Sequence, residues 1–204
     1  MLLLQEAKKC SNLKISQPIF LLAVLSVFLW INCNKSSTSN EITDNNLDLT
    51  DSGFILTSSD IGQDSLLPIE YTCDGESATL PLEWNRYPDN TQYFALIMHH
   101  EVSPTDIHWY WTLYNIPASV NSLPKNVSGI GTLGTNSVNG LTEYSPPCSQ
   151  GPGLKAYTFT IYSLSEKVTT TVNPAEVDRA TLLDVIEEIT LTSTSITVWY
   201  ERDI

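Results

Sequence analysis

The feature that most limits what this chain can become is the punctuation of residues 54–204. Apolar runs there are short, and turn chemistry cuts each one off: Asp74-Gly75, Pro88 to Asn90, Asn115 to Pro117, and Asn139-Gly140. Short runs rich in β-branched and aromatic residues between such breaks predict strands. The candidates are Phe54–Thr57, Leu82–Trp84, Tyr93–His100, His108–Asn115, Tyr157–Leu164 and Ser195–Tyr200. One helix is expected over 174–189. Asn173 can cap it, Pro174 suits its first position and Glu176 can close a capping box. Val177, Ala180, Leu183 (or Leu182) and Ile186 recur at helical spacing, leaving Asp178, Asp184, Glu187 and Glu188 for solvent. Strands do not alternate with helices, so a parallel sheet is not expected. The reading is mainly β: an antiparallel two-sheet sandwich with one helix packed on a sheet.

The start of the chain carries a different message. Lys8, Lys9 and Lys14 precede an apolar run from Ile19 to Ile31, which is too short to span a bilayer and fits the core of an export signal. Cys33 follows directly, then the polar stretch Asn34 to Asn40. This arrangement resembles a bacterial lipoprotein signal with Cys33 as the lipidated N-terminus, although Trp30, Ile31 and Asn32 stand where small residues are usual. Ordinary cleavage nearby and an uncleaved signal anchor are the alternatives. The expected organisation is a signal over 1–33, a tether over 34–52 and a folded domain over 53–204. The expected location is the cell envelope, with a lipid anchor holding the domain to a membrane. Cys10 would then be discarded and Cys33 consumed. Cys73 and Cys148 remain, an even number in an oxidising compartment, as one disulfide or as two separate buried thiols.

Charge removes whole classes of function. Ten Lys and Arg face 23 Asp and Glu, a net charge of −13, and removing the signal makes the rest more acidic still. Sequence-independent nucleic-acid binding needs cationic contacts to phosphate and is excluded. Adsorption to anionic lipid through a basic patch is disfavoured for the same reason. Gly129, Gly131 and Gly134 spell GxGxxG, but a polar loop follows where a dinucleotide site needs a helix, so they read as a flexible loop. There is no GxSxG nucleophile elbow, and no catalytic residue or cofactor is assigned.

The histidines are clustered. His99, His100 and His108 lie within ten residues, with Glu101 beside them. Alternation along a strand sends His99 and His100 to opposite faces, and places His108, Tyr110, Thr112 and Tyr114 on one face with Trp109, Trp111 and Leu113 on the other. A connection over 101–107 would let the two strands be neighbours and bring His100 near His108. Imidazoles so gathered bind an anion when protonated or a divalent metal when neutral.

Five segments in order carry a resemblance: Tyr71 to Gly75 (YTCDG), Leu80 to Trp84 (LPLEW), Phe94 to Ile97 (FALI), Trp111 to Ala118 (WTLYNIPA) and Tyr144 to Cys148 (YSPPC). With the closing Val198 to Arg202, they are similar to the phosphatidylethanolamine-binding protein family, in its bacterial Raf-kinase-inhibitor-like branch, over about 54–202. The resemblance implies an antiparallel β-sandwich with a helix near the C-terminus and a small cavity for phosphate or a phospholipid headgroup. It implies a binding or regulatory protein rather than a common reaction. In the family the cavity is lined by a DPDAP segment, a His-Trp pair and a G-x-H-R-Y segment.

This chain departs from that pattern. Aligned through Phe94 to Met98, His100 stands in place of the first Asp of DPDAP and Val102 in place of the second. The His-Trp pair falls on Tyr110-Trp111, and His108-Trp109 lies two residues earlier. Lys155 and Ala156 replace His and Arg, and Tyr157 is retained. The expected ligand site is therefore His100, His108, Tyr110, Lys155 and Tyr157, with His99 and Tyr144 beside it. These exchanges make it more cationic and its preference for anions stronger at low pH. Cys73 and Cys148 sit in two family motifs that border the cavity, which supports a disulfide bracing it. Two alternatives remain: a metal site of His100, His108 and Glu101, or a protease- or kinase-inhibitor-like protein-interaction module with a vestigial pocket that uses the loop 125–143.

Overall fold

A computed structural model describes residues 53–202. The expected signal, tether and lipidated Cys33 lie outside the described residues. All described residues belong to one compact unit.

Among the described residues eight strands form two sheets, and every strand pair is antiparallel. The smaller sheet orders β1 (Ile55–Thr57), β2 (Leu82–Asn85) and β5 (Ser122–Leu123). The larger orders β6 (Thr132–Leu133), β4 (Asp106–Pro117), β3 (Tyr93–Ser103), β7 (Lys155–Leu164) and β8 (Thr190–Tyr200). The larger sheet is covered on both faces, and β3 shows why its sequence does not alternate. Phe94, Leu96 and Met98 enter the inter-sheet core, while Ala95 and Ile97 pack with Leu182 and Ile186 on the helix side. A strand buried on both faces reads as a continuous apolar run, and Phe94 to Met98 is one. Between the sheets Phe94 meets Trp84 edge-on at 5.3 Å and Tyr87 at 4.8 Å between ring centroids.

The helical segment departs from its expected form. The α-helix is only Arg179–Ile186 (α1), flanked by 3-10 turns at Pro174–Glu176 and Glu187–Ile189. Val177 interrupts it, because its carbonyl accepts the Thr135 N–H at 2.8 Å instead of an intrahelical donor. Asp178, expected to face solvent in mid-helix, is the cap of α1, and its carboxylate accepts the Thr181 N–H at 2.8 Å. Asn173 caps only the preceding turn. Leu182 is the residue that faces the core, and Ala180 is exposed.

Strand ends also run further than their apolar residues. β8 begins at Thr190, since Thr190 to Ser195 lies on a partly exposed edge and contributes little hydrophobic signal. The two-residue strands β5 and β6 carry too little sequence to announce themselves. The glycines of 129–134 serve close packing. A side chain at Gly134 would sit 2.3 Å from the Val177 carbonyl oxygen, and Gly131 holds a positive φ of 73° against the Tyr114 carbonyl. The short strand β6 follows, with no helix whose N-terminus could receive a phosphate.

Candidate functional site

The connection expected over 101–107 is instead a tight hairpin. β3 continues to Ser103 and β4 starts at Asp106, so His100 and His108 are direct cross-strand partners. Two bulges on β4 then break the expected alternation. Met98 pairs with Trp111 and His99 with Trp109, which leaves Tyr110 as the extra residue. Tyr110 therefore joins Trp111 and Leu113 against the inter-sheet core, while Tyr114 turns to the helix side. The second bulge lies near Asn115, which takes a positive φ of 55° and clamps Val168 through both amide atoms.

A compact polar-aromatic cluster results at one end of the larger sheet. The His100 ring lies 5.5 Å from the Tyr157 ring, and Tyr110 meets Tyr157 edge-on at 5.3 Å. His100 Nδ1 donates to the Ala156 carbonyl oxygen at 2.8 Å, the only role a carbonyl partner permits. In neutral His100 this fixes the tautomer and makes Nε2 the available acceptor; on protonation Nε2 becomes a donor. Tyr157 is fully buried, and its hydroxyl has no hydrogen-bond partner among the described residues. Tyr110 and Tyr157 influence each other's ionisation, yet no bond of ordinary geometry joins their hydroxyls. Burial is the main reason both phenols are held above the usual tyrosine range, so both stay protonated.

The remaining expected site residues take varied positions. Lys155 lies two residues before Tyr157 on β7, and its ammonium donates to the Gln150 carbonyl at 2.8 Å. His108 is exposed, with Nε2 3.2 Å from the Asp106 carboxylate. Asp106 thus sets an acid beside His108, in a region expected to be more cationic than in the family. Its position two residues before His108, on the same strand face, was the available signal. Tyr144 lies elsewhere: it packs on Trp111 at 5.4 Å, donates to the Tyr71 carbonyl, and lines a separate cavity of about 210 Å³ beneath residues 127–131. Burial raises its phenol well above the ordinary range.

His99 faces away from the cluster. It pairs with Thr158 on the helix side, where burial first and the Arg179 guanidinium second push its imidazole below the ordinary range. The His100, His108 and Glu101 metal set is not assembled. Among the described residues no group of three or more His, Cys, Asp or Glu side chains is placed to hold a metal.

Loops hold the cluster from below. Cys73 and Cys148 form a disulfide with Cα atoms 5.2 Å apart, which settles their pairing. The Cys73 N–H also donates to the Pro147 carbonyl, and the Ser145 N–H to the Tyr110 carbonyl at 2.8 Å. Sequence reasoning passed over Arg202, which pairs with Asp74 at 2.8 Å and reaches Cys148 Sγ at 3.7 Å. Tyr200 donates its hydroxyl to the same Asp74 carboxylate.

Comparison with known proteins agrees with this architecture. An archaeal UPF0098 protein of Methanothermobacter thermautotrophicus is 34% identical over 103 residues, covering 48% of this chain and 68% of that protein. The UPF0098 protein YbcL of Escherichia coli is 28% identical over 159 residues, 72% of this chain and 81% of YbcL. The crystal structure of CT736 of Chlamydia trachomatis, a homologue of phosphatidylethanolamine-binding protein, superposes with a TM-score of 0.67 at 23% identity. It covers 74% of this chain and 98% of that one, a likeness of fold. The phosphatidylethanolamine-binding protein family model matches residues 57–201, which takes in β2 to β8 up to Tyr200 and the His100–Tyr157 cluster, and the chain belongs to that family.

Proposed function

We propose that this protein is an exported, membrane-tethered binding protein whose site, centred on His100, Tyr110 and Tyr157, takes a small phosphate-like anion. The observation that carries the reading is the His100 Nδ1 bond to the Ala156 carbonyl. It holds the ring beside Tyr157 and reserves Nε2 for a ligand. On protonation Nε2 donates, the buried Tyr157 hydroxyl supplies a second donor, and Lys155 on the same strand supplies charge. Free phosphate and a phospholipid headgroup share this chemistry. Binding, rather than turnover, is the proposed activity.

Thermal-shift titration of the full chain at pH 5.5 and 7.5 tests this, using phosphate, phosphoethanolamine, acetate and zinc. A ligand that binds only the folded state raises the melting temperature by mass action. The phosphoryl compounds are expected to stabilise the protein, more so at pH 5.5. His100→Ala with Lys155→Ala is expected to abolish the effect. Stabilisation by zinc alone, or a phosphoryl response untouched by that double variant, overturns the reading. A second reading, contact with a protein, is favoured by Val138 and Leu141, 53% and 54% exposed on the loop 125–143.

A further inference from the structure

On the other side of the Gly153 loop a second concavity opens, built by the final strand and the segment that crosses its edge. Residues 62–67 run along the end of β8. The Asp64 and Leu67 N–H groups donate to the Thr197 and Trp199 carbonyls, each at 2.8 Å, and Leu66 bridges Trp199 in parallel. This pairing covers half of a sheet edge and leaves a groove of about 590 Å³. Its apolar lining comes from Leu66, Leu67, Ile69, Leu154, Trp199 and Tyr200.

Two properties separate the groove from ordinary surface. Leu66, Ile69 and Leu154 are 68%, 62% and 53% exposed around it, and Trp199 is half-buried without joining either core cluster. Clustered exposed apolar side chains around a concavity of this size are the usual form of a ligand site. Its charged lining is also of one sign: Asp74 and Glu201 line it, and no Lys or Arg does.

The carboxylates decide the occupant. Asp74 is already answered by Arg202 and the Tyr200 hydroxyl. Glu201 accepts only the Gly153 N–H, at 2.8 Å through Oε1, and no ion pair reaches it among the described residues. A purely apolar body laid in the groove would strip water from Glu201 and leave its charge uncompensated. An anionic amphiphile would add repulsion. We infer that the groove is a binding site for a cationic amphiphile, a ligand with an alkyl or aromatic body along Leu66, Leu154 and Trp199 and an ammonium group at Glu201. This site is distinct from the His100 cluster and stands independently of the function proposed for it.

Calorimetric titration of the full chain with n-octylammonium and n-octyl sulfate, both below their micellar concentrations, tests the inference. Octylammonium is expected to bind saturably at one site, roughly tenfold tighter than octyl sulfate. Glu201→Lys should reverse that order. Leu66→Gln with Leu154→Gln should weaken octylammonium roughly tenfold, and both positions are exposed enough for the fold to tolerate the change. No saturable binding, equal affinity for the two amphiphiles, or indifference to the groove variants overturns the proposal.

Discussion

The Cys73–Cys148 disulfide closes a loop of 75 residues, and that length sets what its removal should cost. In the chain-entropy account a cross-link stabilises by restricting the unfolded chain, by about 4.5 kcal/mol for a loop of this size. The loop contains β2, β3, β4, β5 and β6, so without the bond the unfolded chain gains freedom across parts of both sheets. Against a typical domain stability of about 5–15 kcal/mol, the loss is large but need not unfold the protein. At about 2–4 °C per kcal/mol for a chain this long, Cys73→Ala with Cys148→Ala should melt about 9–18 °C lower than the parent. Both cysteines are half-buried, so truncation to Ala removes little packing, and the Cys73 N–H to Pro147 bond does not depend on the sulfur.

Urea unfolding separates this account from its rival. If the bond acts on the unfolded chain, the double variant has a lower midpoint and a steeper slope, because a freer unfolded chain exposes more surface. Its native circular dichroism should match the parent. A melting point within about 2 °C of the parent would refute the entropic argument. A large loss with an unchanged slope would refute it too, and would move the effect to the native loops around Cys148.

Three further outcomes are expected. Because native His99 is held below its ordinary range by burial and by Arg179, the unfolded chain binds more protons as pH falls through about 6.5; stability therefore drops between pH 7.5 and 5. His99→Gln should flatten that slope in paired melting curves, and a parallel slope would refute the assignment. The lowered Asp60 and Asp74 carboxylates lose their contributions only at more acidic pH, outside that window. Tyr157→Phe removes a buried hydroxyl without a partner, so stability should hold or rise by about 1 kcal/mol while phosphate affinity falls; a clear loss of stability would mean that hydroxyl is bonded within the protein. Cys33→Ser should abolish labelling by palmitate and release the protein from the membrane fraction, and labelling that persists would refute lipidation at Cys33.

The legible parts of this fold are those where side-chain chemistry and backbone geometry speak through the same residues. Phe94 to Met98 announces a strand buried on both faces, and Trp111 and Leu113 announce its neighbour. Asn173 and Pro174 announce a helical start, but only of a 3-10 turn, because the competitor for the Val177 carbonyl is Thr135, 42 residues away in sequence. That bond is tertiary, and no local pattern encodes it. The two β4 bulges were equally hidden: an extra residue changes no composition, yet it turns Tyr110 inward beside Trp111 and sends Tyr114 to the helix.

The same bulge bears on the chemistry of the site. Without it Tyr110 would stand opposite Trp111 across the strand, and the ring that meets Tyr157 edge-on would belong to another residue. The pairing of His100 with His108 follows from the hairpin, but only the alternation on β7 brings Ala156 close enough to take Nδ1. Register thus does for this cluster what identity cannot. His100, in place of the expected Asp, exchanges an acceptor for a group that can donate, and the Ala156 carbonyl decides which nitrogen does so. Asp106 on the hairpin then holds His108, so the two histidines have different tasks although they face each other. One is oriented by backbone beside a buried phenol, and the other is tied to a carboxylate at the surface. Under the proposed function, an anion would meet His100 and Lys155 first, Tyr157 only where the side chains that bury it give way, and His108 only by displacing Asp106.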